Sequence, residues 1–155
     1  MKATILARAA TLALLPGAAA ARDLPAGGMT LDEIAAWLHD QGLTAEVQTA
    51  DNGAKSIYSS IGGSNFHIYQ YDCKEARCGS LQFSSGFDTK GAFNADKMNG
   101  WNRDNRSAHA YVDKVNDPWV EFDVDLTPGG SYELLNDELG IWHQSLDNFR
   151  KYINW

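Results

Sequence analysis

The sequence predicts an α+β fold, an antiparallel sheet with helices packed mainly on one face, in the order α-β-β-β-β-α-β-β-α. Three observations lead there. Six short stretches alternate apolar and polar residues with period two, the signature of half-buried strands. Several are joined by turn signals too short for a parallel crossover, namely Asp51-Asn52-Gly53, Gly62-Gly63 and Asn116-Asp117-Pro118. Three other segments carry helical spacing and caps.

The first helix opens at Thr30, with Glu33 three residues on, the two halves of a capping box. Met29 and Ile34 occupy the staple positions around it. Leu31, Ile34, Ala35 and Leu38 recur at helical spacing, and Gly42 is a good stop. Strands are expected over residues 43–50, 55–61, 65–73 and 78–87, a meander of four. A second helix is expected over Thr89–Asp104, with Ala92, Phe93, Met98 and Trp101 as its apolar residues. Strands follow at 107–115 and 119–126. The last helix should run from Ser131 to Ile153, because Leu135, Leu139, Trp142, Leu146, Phe149 and Ile153 form one apolar stripe. Gly140 within it costs about 1 kcal/mol against alanine, which predicts a close helix-to-sheet approach there.

The chain has 155 residues and opens with "MKATILARAATLALLPGAAAARDLPAGG". Basic Lys2 and Arg8, a short apolar run, Pro16-Gly17 and Ala19-x-Ala21 make a secretory signal peptide over residues 1–21, cut after Ala21. The apolar run is too short to span a bilayer. The expected plan is a flexible lead-in, 22–28, then a single domain over 29–155, exported to the periplasm. Without the leader, 11 Lys and Arg face 20 Asp and Glu, a net charge near −9. That charge excludes a phosphate-backbone partner, since nucleic-acid binding needs a positive footprint. No later apolar run is long enough to cross a membrane.

The two cysteines, Cys73 and Cys78, lie in "YDCKEARCGS". In an oxidising compartment they read as a disulfide across a hairpin. The loop is small, so the entropic gain is about 2 kcal/mol, and the bond serves register more than survival of the fold. Two cysteines with no nearby histidine fall short of a zinc set. No phosphate-cradling glycine loop, nucleophile elbow or H-E-x-x-H occurs. The reading is therefore a non-enzyme, with no catalytic residue, metal or cofactor assigned.

Alternation places the chemistry of the strands. If Phe66 and Ile68 face the core, His67, Tyr69 and Tyr71 face away. By the same rule His109, Tyr111, Trp119, Glu121, Asp123 and Asp125 face outward. Should these strands share a sheet, its second face carries many large rings with an acidic fringe. Such a face is read first as a surface for a polypeptide partner or a second copy of the chain. The same residues leave other readings open. The face could be covered by a loop or helix, with the carboxylates guarding an edge strand. His67, His109 and Asp123 could form an acid–base or metal site. The Cys73–Cys78 loop could be the arm of a small inhibitor. His39 and His143 fall on helices and are read as solvent-facing.

"NGWNRDNR", residues 99–106, sits where the second helix gives way to a strand. Trp101 is expected to anchor the helix end on the sheet. Asn105 is a candidate for the left-handed residue that ends a helix. Arg103 and Arg106 suit the helix C-terminus, and Arg106 is expected to find an internal carboxylate.

Three strings carry a resemblance: "MTLDEIAAWLHDQGLTAEV", "IYQYDCKEARCGSLQFSSGFD" and "MNGWNRDNRSAHAYVD". Together, from about Met29 to Tyr152, the chain resembles the YbjN family of small bacterial proteins, described as regulators of sensory transduction. The resemblance implies a fold similar to type III secretion chaperones, small α+β proteins that often dimerise and bind polypeptides. It implies no defined catalytic activity, and a periplasmic branch for the disulfide-carrying form. Through the shared Trp-Asn-x-x-x-Arg string it also implies a role for Asn102 and Arg106, fixing the helix against acidic residues of the sheet.

Overall fold

The computed structural model describes residues 21–155, so the proposed leader, residues 1–21, lies outside the described residues up to Ala20. The elements are α1 (Leu31–Asp40), β1 (Glu46–Thr49), β2 (Lys55–Ile61), β3 (Ser64–Lys74), β4 (Arg77–Gly86), α2 (Ala95–Asp104), β5 (His109–Val112), β6 (Pro118–Asp125) and α3 (Tyr132–Ile153). This is the expected α+β order. All six strands form one antiparallel sheet in the order β1-β2-β3-β4-β6-β5. β6 therefore returns beside β4, and β5 stands outside it at the edge.

One core lies between the sheet and the helices. Ile57, Phe66, Ile68, Leu81, Phe83, Val120, Phe122 and Val124 supply the sheet side. From α3 come Leu135, Leu139, Trp142, Leu146, Phe149 and Ile153, all buried, as the apolar stripe requires. Trp142 lies 5.9 Å from the Phe66 ring and 5.8 Å from Phe83. Burying side chains of this size stabilises by roughly 2–3 kcal/mol each. α1 adds Ile34, Trp37 and Leu38, and the Trp37 indole N–H donates to Asn136 Oδ1 at 2.8 Å, joining α1 to α3. α1 begins with the expected capping box between Thr30 and Glu33.

The cysteines form the expected disulfide, directly opposite one another on β3 and β4. The strands continue past them to Lys74 and Arg77, so only Glu75 and Ala76 make the turn. Arg77 leaves this tip for α1. Its Nη1 donates to Glu33 Oε2 at 2.8 Å and its Nη2 to Glu33 Oε1 at 2.9 Å, a two-pronged pair. The Cys78 and Met29 backbones exchange hydrogen bonds beside it. A Cβ at Gly28 would strike the Cys78 carbonyl, so the chain passes there only as glycine.

Several boundaries differ from expectation. α2 starts at Ala95 rather than Thr89. The Asp117 carboxylate binds the Thr89 and Gly91 amides and the Thr89 hydroxyl, which holds residues 89–91 in a loop, and Asn94 then caps the helix. β1 and β5 are each four residues long, shorter than expected. The 22–28 segment is not a free lead-in. Asp23 bridges Ser131, the Leu24 amide donates to Gly130 O, and the Arg22 guanidinium lies 3.7 Å over the Tyr132 ring. Gly140 makes no close approach to the sheet: it is exposed, with open space where a Cβ would stand. The close helical glycine is Gly100, whose Cβ position would fall 2.8 Å from Tyr152 Oη.

Candidate functional site

The three helices of the described residues contribute to the core on one side of the sheet, and no described helix covers the opposite side. The six expected surface residues are on it together: His67, Tyr69 and Tyr71 from β3, His109 and Tyr111 from β5, and Trp119 from β6. Tyr71 and Tyr111 are 48% and 39% exposed, large values for rings in a sheet.

The register sets them in rows. Glu46, Tyr58, His67, Ser84, Glu121 and His109 pair in succession, a line across all six strands. Glu121 is the polar centre of that line. Its Oε1 accepts from the Ser84 hydroxyl at 3.2 Å and from the Tyr111 hydroxyl at 3.1 Å. Its Oε2 lies 3.2 Å from His109 Nε2. Burial, then the charge of Glu121, push the Tyr111 phenol well above its ordinary value. Tyr111 is therefore a fixed hydroxyl donor, not a base. Tyr69 is also raised, first by burial and then by Tyr71 and Glu121.

On one flank the His67 ring stacks with Tyr69 at 5.8 Å and meets Tyr58 at 5.2 Å. Burial lowers the His67 imidazole below its ordinary value, and Ser56 Oγ lies 3.3 Å from its Nδ1. On the other flank Trp119 lies across Gly86, where a Cβ would be 2.6 Å from the indole. Tyr111 stacks on Trp119 at 6.4 Å, and the Trp119 N–H donates to Asp113 Oδ2 at 3.3 Å. Gly86 is thus the seat of the tryptophan.

The acid–base trio of His67, His109 and Asp123 is not assembled. β4 and β6 stand between the two histidines, roughly 14 Å at ordinary strand spacing. Asp123 accepts from Gln82 Nε2 at 2.9 Å, and the carboxylate beside His109 is Glu121. Among the described residues no group of three or more His, Cys, Asp and Glu could hold a metal ion. The inhibitor arm reduces to the Glu75-Ala76 turn, with Arg77 tied back to Glu33 and Gly28. His39 is exposed, as expected, whereas His143 is half-buried, 3.7 Å from Asp147 and against the Gly62 turn. Tyr58, Ser84 and Gln82 were absent from the expected surface, although alternation along β2 and β4 carries the signal for them.

Residues 99–106 divide sharply. Trp101 is buried, as expected of an anchor, and its indole N–H donates to Ala108 O at 3.0 Å. Asn102 makes two bonds to β5, accepting from the Ala110 amide at 2.7 Å and donating to its carbonyl at 3.0 Å. Its partner is strand backbone, not an acidic side chain. Asn105 ends α2 in an extended conformation, φ −123°, not a left-handed one, because its own side chain caps Trp101 O at 3.0 Å. Arg106 is exposed and forms no ion pair among the described residues, so the expected internal carboxylate is not its partner.

Residues 30–155 match the YbjN family, described as "Putative bacterial sensory transduction regulator". The chain belongs to the YbjN family. The match spans every helix and strand of the described residues, including the Trp101-Asn102 corner and the cysteine hairpin. No curated protein matches the chain significantly. The family description names a regulator and supports a non-enzymatic regulatory role. No helix among the described residues is long and apolar enough to cross a membrane.

Proposed function

We propose that this YbjN domain is an exported, non-enzymatic regulatory module that works in the periplasm by engaging a polypeptide through its outer sheet face. The observation that carries the reading is the ring-rich sheet surface, centred on Glu121, over which no helix of the described residues packs. Exposed aromatic side chains anchored by fixed hydrogen bonds are what a recognition surface needs. They bury a large area on contact and lose little side-chain entropy. The leader-like N-terminus and the disulfide support export to an oxidising compartment. The deciding experiment replaces Tyr69 and Tyr111 together with alanine. Wild-type protein is expected to retain a polypeptide from soluble envelope extract, and the double variant to lose it with a thermal midpoint within about 2 °C of wild type. Identical retention by both proteins overturns the assignment of this face.

A further inference from the structure

The outer face has one more property, its one-sided charge. Its outward positions run over six strands, from Glu46 to Asp125. They carry four carboxylates, Glu46, Glu121, Asp123 and Asp125, and neither lysine nor arginine. Several of the basic side chains have partners elsewhere. Arg77 is drawn to Glu33, Lys90 to Asp88, Arg103 to Asp104, and Lys97 sits over the Tyr152 ring. Asp123 and Asp125 are exposed, while Glu121 is already held by three neighbours.

We infer that the occupant of this face is a basic polypeptide segment bearing several arginines or lysines; the inference rests on the proposed function of the face. Tyrosine and tryptophan rings attract cations through their faces. Carboxylates beside them add Coulomb attraction and steer encounter. Together they make a surface for a cation on a partly apolar stem, which describes an arginine or lysine side chain. The same charge argues against a second copy as the occupant. Stacking two such faces brings eight carboxylates together, with neither lysine nor arginine at the outward positions counted above to offset them.

The test uses the purified protein and three labelled peptides of equal length, rich in arginine, in glutamate, or neutral, read by fluorescence anisotropy. The arginine peptide is expected to bind, and to weaken severalfold between about 50 and 200 mM salt. The glutamate and neutral peptides should bind far less. Asp123→Asn with Asp125→Asn should weaken the arginine peptide about tenfold, from two lost charge contacts, with an unchanged thermal midpoint. Equal binding of all three peptides overturns the inference, as does indifference to the two substitutions. Loss of all peptides in the Tyr69→Ala/Tyr111→Ala protein, with no effect of the asparagines, overturns the charge preference while leaving the face as the docking site. A wild-type dimer that the same tyrosine substitutions dissociate would show the occupant to be a second copy.

Discussion

The Asn102 carboxamide pairs with both backbone groups of Ala110, as a neighbouring strand would. Ala110 lies in β5, an edge of the sheet. Its N–H and C=O point away from β6, and without Asn102 they would meet only water or another chain. An open edge is a template for pairing between molecules, and one side chain here closes the middle of a four-residue edge. Asn102→Ala should cost about 1 kcal/mol. It should also raise concentration-dependent light scattering of the folded protein. Unchanged scattering would show that the bond pair serves stability alone. Arg106→Ala, four residues along at an exposed position, should lie within about 0.5 kcal/mol of wild type.

The Arg77–Glu33 pair ties the cysteine hairpin to the start of α1. Glu33 also accepts the Thr30 amide, so its carboxyl is held below the ordinary range, first by the Arg77 hydrogen bond and then by the Thr30 backbone. Both side chains are about one-third exposed, at 38% and 32%, and solvent screens the pair. Arg77→Ala should therefore lower the urea midpoint only modestly. Because the folded carboxyl is the stronger acid, its contribution is present above the ordinary value of 4.5 and is lost as pH falls below it. A wild-type and a variant midpoint that stay equally far apart in mild acid would exclude this linkage.

His67 gives the sheet a second acid response, in a higher window. Burial lowers its imidazole from 6.5, so the unfolded chain takes the proton more readily than the fold. Stability is then complete above about pH 6.5 and declines as pH drops towards the folded value. His67→Gln should flatten the dependence of the denaturation midpoint between about pH 7 and 5. An unaltered slope would place that proton uptake at another group.

Much of the architecture is written locally. The α3 stripe from Leu135 to Ile153 keeps one period over about five helical turns, so a helix gathers it on a single face. The Thr30–Glu33 box is a contact between near neighbours, and so is legible as spacing. Alternation likewise gives the side of the sheet for His67, Tyr69 and Tyr111. It does not give register or strand order, which depend on how α2 carries the chain to the far edge. Hence Asp123 rather than Glu121 looked like the partner of His109, though the two carboxylates sit two residues apart on the same side. The 89–91 loop was hidden for a related reason. It depends on Asp117, 28 residues beyond Thr89, and a helix propensity summed over neighbours does not see it. The role of Gly140 was misjudged because a helical glycine has the same sequence signature whether it faces a sheet or water.

The placement of the described helices on one side separates packing from surface chemistry. Phe66, Ile68, Phe83 and Val120 carry the packing, while their neighbours one residue away contact chiefly one another on the outer face. A gene can therefore rewrite Tyr69, Tyr71 or Asp125 without disturbing the interior. Under the docking role proposed above, such outward substitutions would alter what is recognised while leaving the helical side and its packing in place.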